Sequence, residues 1–433
     1  MARLNPLRST TLKNGYKKGD VLVLFGELFN RGYANGILEE AEALGMTVVR
    51  TTVGRRDKEG NLRVLTAEEL ANQPKPFINI PLEAGFDLEP ASDGLSPVDQ
   101  IRDVKLSTWQ EAKIDFVKVR ESQVRGTERF LKNLEKYMTE LEQYIPKGAN
   151  VCFVHLMAGG VPRAKILMPI MNRVFKGSGD RFFASKEFWE SPLGQLSNLC
   201  FNEVTGETLR HLLEGSTELR VKIEQSGGTV RYLAYGYHGT EVLIQNQYLW
   251  QTYTPYLQGW AKLRLEGIAE EYFHKGIKCC VFNCPEILTN SSSIFSGVEV
   301  SLYPLMGALQ KEGASSPAVQ KILADCATLL KDGMQTSDIM KFTDEYLTSS
   351  EIRAHCNFLK WPQHSSQPQM EKMLASSDYL ISLHKDPKNL ITHVLSECVF
   401  KACGTLMLSE SVRLDAPVWW IGHEVISKIT ATH

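Results

Sequence analysis

The stretch Asp20-Val-Leu-Val-Leu-Phe-Gly-Glu-Leu-Phe-Asn-Arg-Gly-Tyr-Ala-Asn-Gly-Ile-Leu-Glu-Glu-Ala-Glu-Ala-Leu-Gly-Met-Thr-Val-Val-Arg50 decides the fold. Residues 20–25 are a short apolar run of the kind a strand buried on both faces requires. Gly26, Gly32 and Gly36 follow, and then Ile37, Leu38, Ala41 and Leu44 recur at helical spacing until Gly45 ends the helix. Met46 to Arg50 begins a second strand. Strand, glycine turn, helix and strand open a dinucleotide-binding fold: small residues let the main chain approach a pyrophosphate, and the helix N-terminus offers unpaired N–H groups and positive potential. The spacing departs from Gly-x-Gly-x-x-Gly, so a glycine-rich turn without a ligand stays open as an alternative.

Beyond the second strand stand Arg50, Arg55 and Arg56, with no acid before Asp57. A carboxylate there would hold the ribose 2′-hydroxyl of NAD, whereas arginine accommodates the 2′-phosphate of NADP. NADPH is therefore expected ahead of NADH, although surface loops also favour arginine. Residues 76–82 predict a further strand, with Asp87 after it either near the adenine or starting a turn. Residues 107–145 predict a long helix whose apolar side runs through Phe116, Val119, Phe130, Leu134 and Tyr137. Asn150 to Gly160 reads as a buried strand ending in small residues, Ala158 and Gly159 among them, where a nicotinamide ribose can lie against the main chain. His155, inside that strand, reads as a core histidine. Residues 161–227 carry no clear chemistry, and Phe182, Phe183, Phe188 and Trp189 read as core ahead of an acyl pocket.

Thr229 to Glu241 is a strand with a glycine-broken end that carries Tyr237, and Lys278 to Asn283 is the next strand. The loop Pro285 to Ser293, with Thr289, follows at the strand's C-terminal end, which is where ligands bind in an open α/β sheet. Between these strands lies Tyr253-Thr-Pro-Tyr-Leu-Gln-Gly-Trp-Ala-Lys262. Thr254 suits an N-cap and Pro255 the first helical position, so Tyr253 stands just outside a helix that carries Lys262. A tyrosine before the cap escapes the helix wheel, and its chain can fold back so that phenol and ammonium meet one ligand. The lysine charge then favours partial loss of the phenolic proton. Gln258, one turn before the lysine, has no acidic hydroxyl, and Tyr256 faces away from it. Tyr253 and Lys262 are thus the candidate catalytic pair; the alternative is a buried helix with packing tyrosines. Its apolar side is expected through Leu257, Ala261, Leu265, Ile268 and Tyr272.

With 433 residues the chain can bury a large core, and a net charge of −2 supplies no basic field for nucleic acid. Nine cysteines without a pairing frame or zinc spacing suit a reducing compartment, with Cys279, Cys280 and Cys284 expected to be buried. No uninterrupted apolar window of membrane-spanning length is found. Arg3, Arg8, Lys13, Lys17 and Lys18 make the first eighteen residues basic, expected to be a poorly ordered arm ahead of an organelle transit peptide. Helical spacing recurs over 319–330, 339–347 and 390–406; His355, Cys356 and His364 lack metal-site spacing.

The combination resembles the divergent short-chain dehydrogenase/reductase superfamily, and within it the enoyl-thioester reductases. Gly26 to Ile37 is similar to the Gly-x5-Ser-x-Ala-x-Gly-Ile loop of the shorter enoyl-acyl-carrier-protein reductases, with Gly32 in place of the serine and Ala34, Gly36 and Ile37 matching. Ala234-Tyr-Gly-Tyr-His-Gly-Thr-Glu241 resembles the Ala-Tyr-Ser-Tyr-Ile-Gly-Pro-Glu of the longer trans-2-enoyl reductases. Tyr253-x8-Lys262 matches their catalytic pair, and Ile287 to Ser293 their Leu-Val-Thr-Gln-Ala-Ser segment. The likeness covers roughly residues 20–315; the longer segment between Tyr237 and Tyr253, residues 161–227 and the tail depart from it.

The resemblance implies that NAD(P)H delivers hydride to C3 of a trans-2-enoyl thioester on coenzyme A or acyl carrier protein. Tyr253, with Tyr237, would hydrogen-bond the developing enolate; Lys262 would bind the nicotinamide ribose, Thr289 the carboxamide, and Gly26, Gly32 and Gly36 the pyrophosphate. The expected fold is a Rossmann-type, doubly wound α/β sheet, mostly parallel, over residues 1–330, with a helical extension over 331–433 as lid, oligomer surface or cap. A cytoplasmic location, no metal, no membrane span, and a monomer or homo-oligomer are expected. A carbonyl reductase or alcohol dehydrogenase of the same superfamily, or a non-catalytic dinucleotide sensor, are the other readings.

Overall fold

Alternate residues of a strand face opposite sides of its sheet, so a strand apolar at every position belongs in the middle of three layers. β1 (Val21–Phe25) is buried throughout. Leu22 and Leu24 join the hydrophobic cluster on one face, and Val21, Val23 and Phe25 the cluster on the other. The computed structural model describes residues 3–252, 257–289, 297–359 and 364–432. Within it, β1 is followed by β2 (Thr47–Thr52), β3 (Phe77–Pro81), β4 (Val151–His155), β5 (Val230–Gly236), β6 (Cys279–Asn283) and β7 (Val418–Trp420). They form a seven-stranded sheet in the order β7-β6-β5-β4-β1-β2-β3, and every pairing is parallel. The order turns back between β1 and β4, which opens a crevice at the C-terminal strand ends. Register brings those ends level: Phe25 pairs with His155, His155 with Ala234, and Gly236 with Asn283.

Helices cover both faces, as the doubly wound expectation requires. On one side, α2 (Phe116–Glu142) packs Phe130, Leu134 and Tyr137, and α3 (Leu257–His274) packs Leu265 and Ile268, into the cluster of Val21 and Val23. Ala261, Leu265, Ile268 and Tyr272 are all buried, following the predicted apolar side of α3. On the other side lie α1 (Ala34–Ala43) and α4 (Ile391–Ser411), which cross so closely that a Cβ on Gly36 would run into the main chain of Phe400 and one on Gly404 into that of Gly36. By length and composition the 21-residue α4 could cross a membrane; 67% of its apolar window is instead buried within the protein, as in a core helix.

The tail is helical over Pro317–Thr328, Thr336–Thr348 and Ile391–Ser411, but it also supplies β7, an edge strand of the main sheet, where only helix was expected. Three residues are too short to show a period, and β7 is held by its partner: Val281 pairs with Val418 and Asn283 with Trp420. The basic N-terminal arm is likewise docked where a poorly ordered segment was expected. Leu7 is buried and its N–H donates to the Trp420 carbonyl at 2.7 Å, while Arg8 pairs with Glu241 and Glu424 and Lys13 with Glu410, each at 2.6 Å. The long segment after Tyr237 is a hairpin, Thr240–Ile244 with Gln247–Gln251, turned by Gln245 and Asn246 at φ +46° and +63°. Phe188 and its neighbour Phe183 lie against Trp109 in a third apolar cluster, so they are core.

Candidate active site

Where β1, β4 and β5 end, the chain must leave the sheet, and each exit adds a wall to one cleft. Its volume is about 270 Å³, and Gly32, Ala34, Gly159, Tyr237, Lys262 and Thr289 are among its lining residues. A neighbouring cavity of about 240 Å³ is lined by Val53, Leu82, Asp87, Gly160 and Arg163, and Glu27, Phe29, Leu156 and Ala158 line both. The two form an elongated groove across the point where strand order reverses.

The first wall is the turn after β1. Gly26 has φ +126°, and a Cβ there would sit 3.0 Å from the main chain of Leu156. Only glycine accepts both that dihedral and that approach. Gly32 is open: the nearest atom to a Cβ there is the Phe29 carbonyl at 4.0 Å. No side chain caps the N-terminus of α1; the Asn35 and Gly36 N–H groups bond the Gly32 and Tyr33 carbonyls, so what this end offers beside Ala34 is the positive potential of the helix. Gly36, expected at the pyrophosphate, and Ile37, expected with it in the cofactor loop, serve packing: Gly36 faces α4 and Ile37 is fully buried in the core. The motif match could not reveal this, because the crossing partner lies far along the chain.

The second wall follows β4. Gly159 is gripped by Thr205, whose Oγ1 accepts from the Gly159 N–H and lies 3.0 Å from its carbonyl as well. Thr205 sits in a π-helical turn, Asn202–Glu207, within the segment that showed no chemistry in sequence. His155 is buried at the cleft floor, with Nε2 2.8 Å from Thr208 Oγ1. Burial, aided by the Lys262 charge, pushes its pKa well below the usual range and keeps the ring neutral.

The third wall carries the titratable groups. Lys262 is half-buried on α3, and no hydrogen bond or ion pair joins it among the described residues. Burial lowers its pKa to about 8. Tyr237, just past β5, donates its hydroxyl to Glu286 Oε2 at 3.0 Å. Glu286 is buried, and desolvation pushes it up to about 8, so it is mostly protonated at neutral pH. Sequence reading missed Glu286; the available signal was a lone acid in the apolar run Cys284-Pro-Glu-Ile-Leu288 directly after a strand. Tyr33 holds that loop through a 2.6 Å hydrogen bond to the Pro285 carbonyl. Behind the cleft, His238 Nδ1 donates to Glu266 at 3.1 Å, and Asn283 bridges Glu266 Oε1 at 3.0 Å and the His238 N–H at 2.7 Å. The network ties α3 to the ends of β5 and β6. Tyr253, with Thr254 and Pro255, lies outside the described residues.

The expected phosphate-binding arginines are otherwise engaged. Arg50 pairs with Glu42 of α1 at 2.7 Å and does not line the groove; Arg55 pairs with Glu27 at 2.6 and 3.0 Å, and Arg56 Nε with Glu83 at 3.0 Å. Asp87 lines the second cavity, and its carboxylate is held by the Arg163 main-chain N–H at 2.8 Å and Nε at 2.9 Å. Among the described residues no cluster of His, Cys, Asp and Glu could hold a metal.

Comparison with known proteins matches this arrangement over its full length. Residues 3–430 fit the family model described as enoyl-acyl carrier protein reductase FabMG. An apo structure of FabMG, called a novel type of enoyl-acyl carrier protein reductase, is 45% identical with a TM-score of 0.95, covering 100% of this chain and 99% of that one. An NADH-bound structure of FabMG is 38% identical with a TM-score of 0.80, covering 100% of both chains. A comparison with curated proteins finds no match. The sheet, the groove at its reversal point and the match from end to end lead to one assignment: the chain belongs to the FabMG family of enoyl-acyl carrier protein reductases.

Proposed function

We propose that this chain reduces the C2–C3 double bond of trans-2-enoyl thioesters carried on acyl carrier protein, with NADH as reductant. We further propose that the site is of the divergent short-chain dehydrogenase type, with Tyr253 and Lys262 as its Tyr-x8-Lys pair. One observation carries the reading: Tyr237, Lys262, Thr289 and the uncapped N-terminus of α1 share one cleft at the reversal point of the sheet, in a chain of this family. A dinucleotide fits the residues present. The Gly26 turn, the open space at Gly32 and the positive end of the α1 dipole suit a pyrophosphate, and the second cavity suits an adenosine.

NADH is favoured over NADPH because Arg50, Arg55 and Arg56 are already neutralised by Glu42, Glu27 and Glu83. The related chain solved with NADH agrees with this choice. When bound, the dihydronicotinamide supplies a hydride to C3. The chain's part is to stabilise the charge that then gathers on the thioester oxygen: Tyr253 and Tyr237 donate hydrogen bonds that strengthen as the charge develops. Lys262 adds positive potential and binds the ribose, and Thr289 orients the carboxamide. Nine free cysteines suit a cytoplasmic setting.

The test is the loss of NADH absorbance, and separately NADPH absorbance, on adding crotonyl and longer enoyl thioesters to the purified chain. Turnover with NADH is expected. Oxidation only with keto substrates would replace this reading with a carbonyl reductase, and dinucleotide binding with no turnover on either panel would replace it with a sensor.

A further inference from the structure

The reduction consumes a proton as well as a hydride, and a group at the site must hand that proton over. We propose that Glu286 is the internal acid of this reaction, passing its proton through the Tyr237 hydroxyl to the reduced substrate. The inference rests on the enoyl-reductase reading above.

Three observations carry it. Glu286 is buried yet lines the same cleft as Lys262 and Thr289, so it stands at the reaction and is not a surface charge. Its Oε2 is 3.0 Å from Tyr237 Oη, within reach for a proton to cross in either direction. Its loop is fixed from two sides, by the Tyr33 hydroxyl on the Pro285 carbonyl at 2.6 Å and by the Ser396 hydroxyl, which accepts from the Leu288 N–H at 2.9 Å. A buried carboxyl would normally be matched by a cation. Instead, desolvation and the negative Glu299 raise its pKa to about 8, which leaves a neutral acid at physiological pH. The other charged or titratable side chains lining the cleft include Glu27, Arg31, His155 and Lys262. Glu27 is committed to its ion pair with Arg55, and His155 is buried on Thr208.

The step balances as follows. Hydride addition at C3 moves the double-bond pair onto the thioester, leaving an enolate that is two electrons reduced. The Tyr237 O–H bond breaks as its proton forms a C–H bond at C2 of the enolate, whose electron pair supplies that bond while the thioester carbonyl re-forms. The Glu286 O–H bond breaks in turn, and that proton re-forms the Tyr237 O–H. Glu286 is left as carboxylate and takes a proton from solvent when product leaves. Only the reductant is oxidised; the two side chains return to their starting state.

Lys262 also loses charge near pH 8, so a pH–rate profile alone does not separate the two groups. A mutant cycle does. Glu286→Gln is expected to lower kcat on the order of 10²-fold with NADH affinity and the thioester KM unchanged. In a Tyr237→Phe background it is expected to add no further loss. The wild-type infrared spectrum at pH 7 is expected to contain a protonated-carboxyl band that Glu286→Gln removes and that fades as pH rises through about 8. Wild-type turnover with an unchanged kcat in Glu286→Gln overturns the relay and leaves the reading intact. Equal losses in both backgrounds also overturn it, since the acid would then not act through Tyr237. A wild-type chain inactive on every enoyl thioester overturns the reading and the relay together. Should Glu286→Gln not fold, the wild-type infrared titration decides: absence of a carboxyl band fading near that pH refutes the neutral acid.

Discussion

Lys262 shows how a fold imposes a chemical state on a side chain at a cost. Its ammonium is half-buried without an acidic partner among the described residues, which moves its pKa from the ordinary ~10.4 down to about 8. Between those values the unfolded chain binds more protons than the folded one, so stability rises with pH across that window, and the cost is undiminished below it. Lys262→Met should therefore stabilise the protein at pH 7 by roughly 1–3 kcal/mol. The advantage should vanish above about pH 10, while turnover is lost. Urea denaturation of both proteins at pH 7 and pH 10 reads the difference, and a less stable variant at pH 7 would contradict the burial argument. At neutral pH the group is still mostly charged, as a ribose-binding cation must be. Tyr253→Phe should lower kcat by about 10²–10³-fold, measured with NADH and crotonyl thioester; an unchanged rate would move the hydroxyl's role to Tyr237.

At the scale of elements, the crossing of α1 and α4 couples the tail to the cofactor groove. Gly36 and Gly404 let the two backbones meet at the first turn of α1, whose Ala34 lines the groove. Gly404→Ala should force the helices apart at a cost of about 1–3 kcal/mol. Because α1 would shift, the KM for NADH should rise more than kcat falls. Denaturation midpoints and NADH titrations measure both, and a variant with wild-type stability and NADH affinity would refute the close-crossing account. Periodicity marked α1 as a helix, but it said nothing of what crosses it. A Gly-x-x-x-Gly-Ile pattern at a cofactor loop and a glycine that admits a neighbouring helix are indistinguishable in one dimension.

The whole molecule is organised as one sheet with two covering layers, and residues beyond 330 complete it. Leu395, Val399 and Ala402 of α4 share a hydrophobic cluster with Leu22 and Ile37, and Trp420 of β7 is fully buried. Removing 331–433 should therefore leave one sheet face bare and β6 without its edge partner. Such a truncated chain is expected to be insoluble or to lack a cooperative unfolding transition, scored by soluble yield and circular dichroism. A soluble fragment that binds NADH would show that the first 330 residues fold alone. Trp420→Ala in the full chain should cost about 3–5 kcal/mol, read from the urea midpoint.

The opening strand, turn, helix and strand, the buried strands at 150, 230 and 279, and the apolar side of α3 were legible because each follows from a local apolar run or a period of 3.6 residues. So were Gly32, Ala34, Ala158, Gly159, Tyr237, Lys262 and Thr289 as a set, since strand ends in an open parallel sheet point at one edge; the structure brings all seven to the same cleft. Gly36, Ile37 and Arg50 lay in the right segments but face other partners. The short β7 and the docked arm depend on partners more than a hundred positions away. Glu286 is the sharpest case: in sequence it is one acid beside a proline, and only burial by distant elements removes the water that would keep it charged. Local period determined where the chain runs straight and where it turns. The tertiary structure decided the charges and contacts, because proton affinity and close approach are set by what surrounds a residue in space.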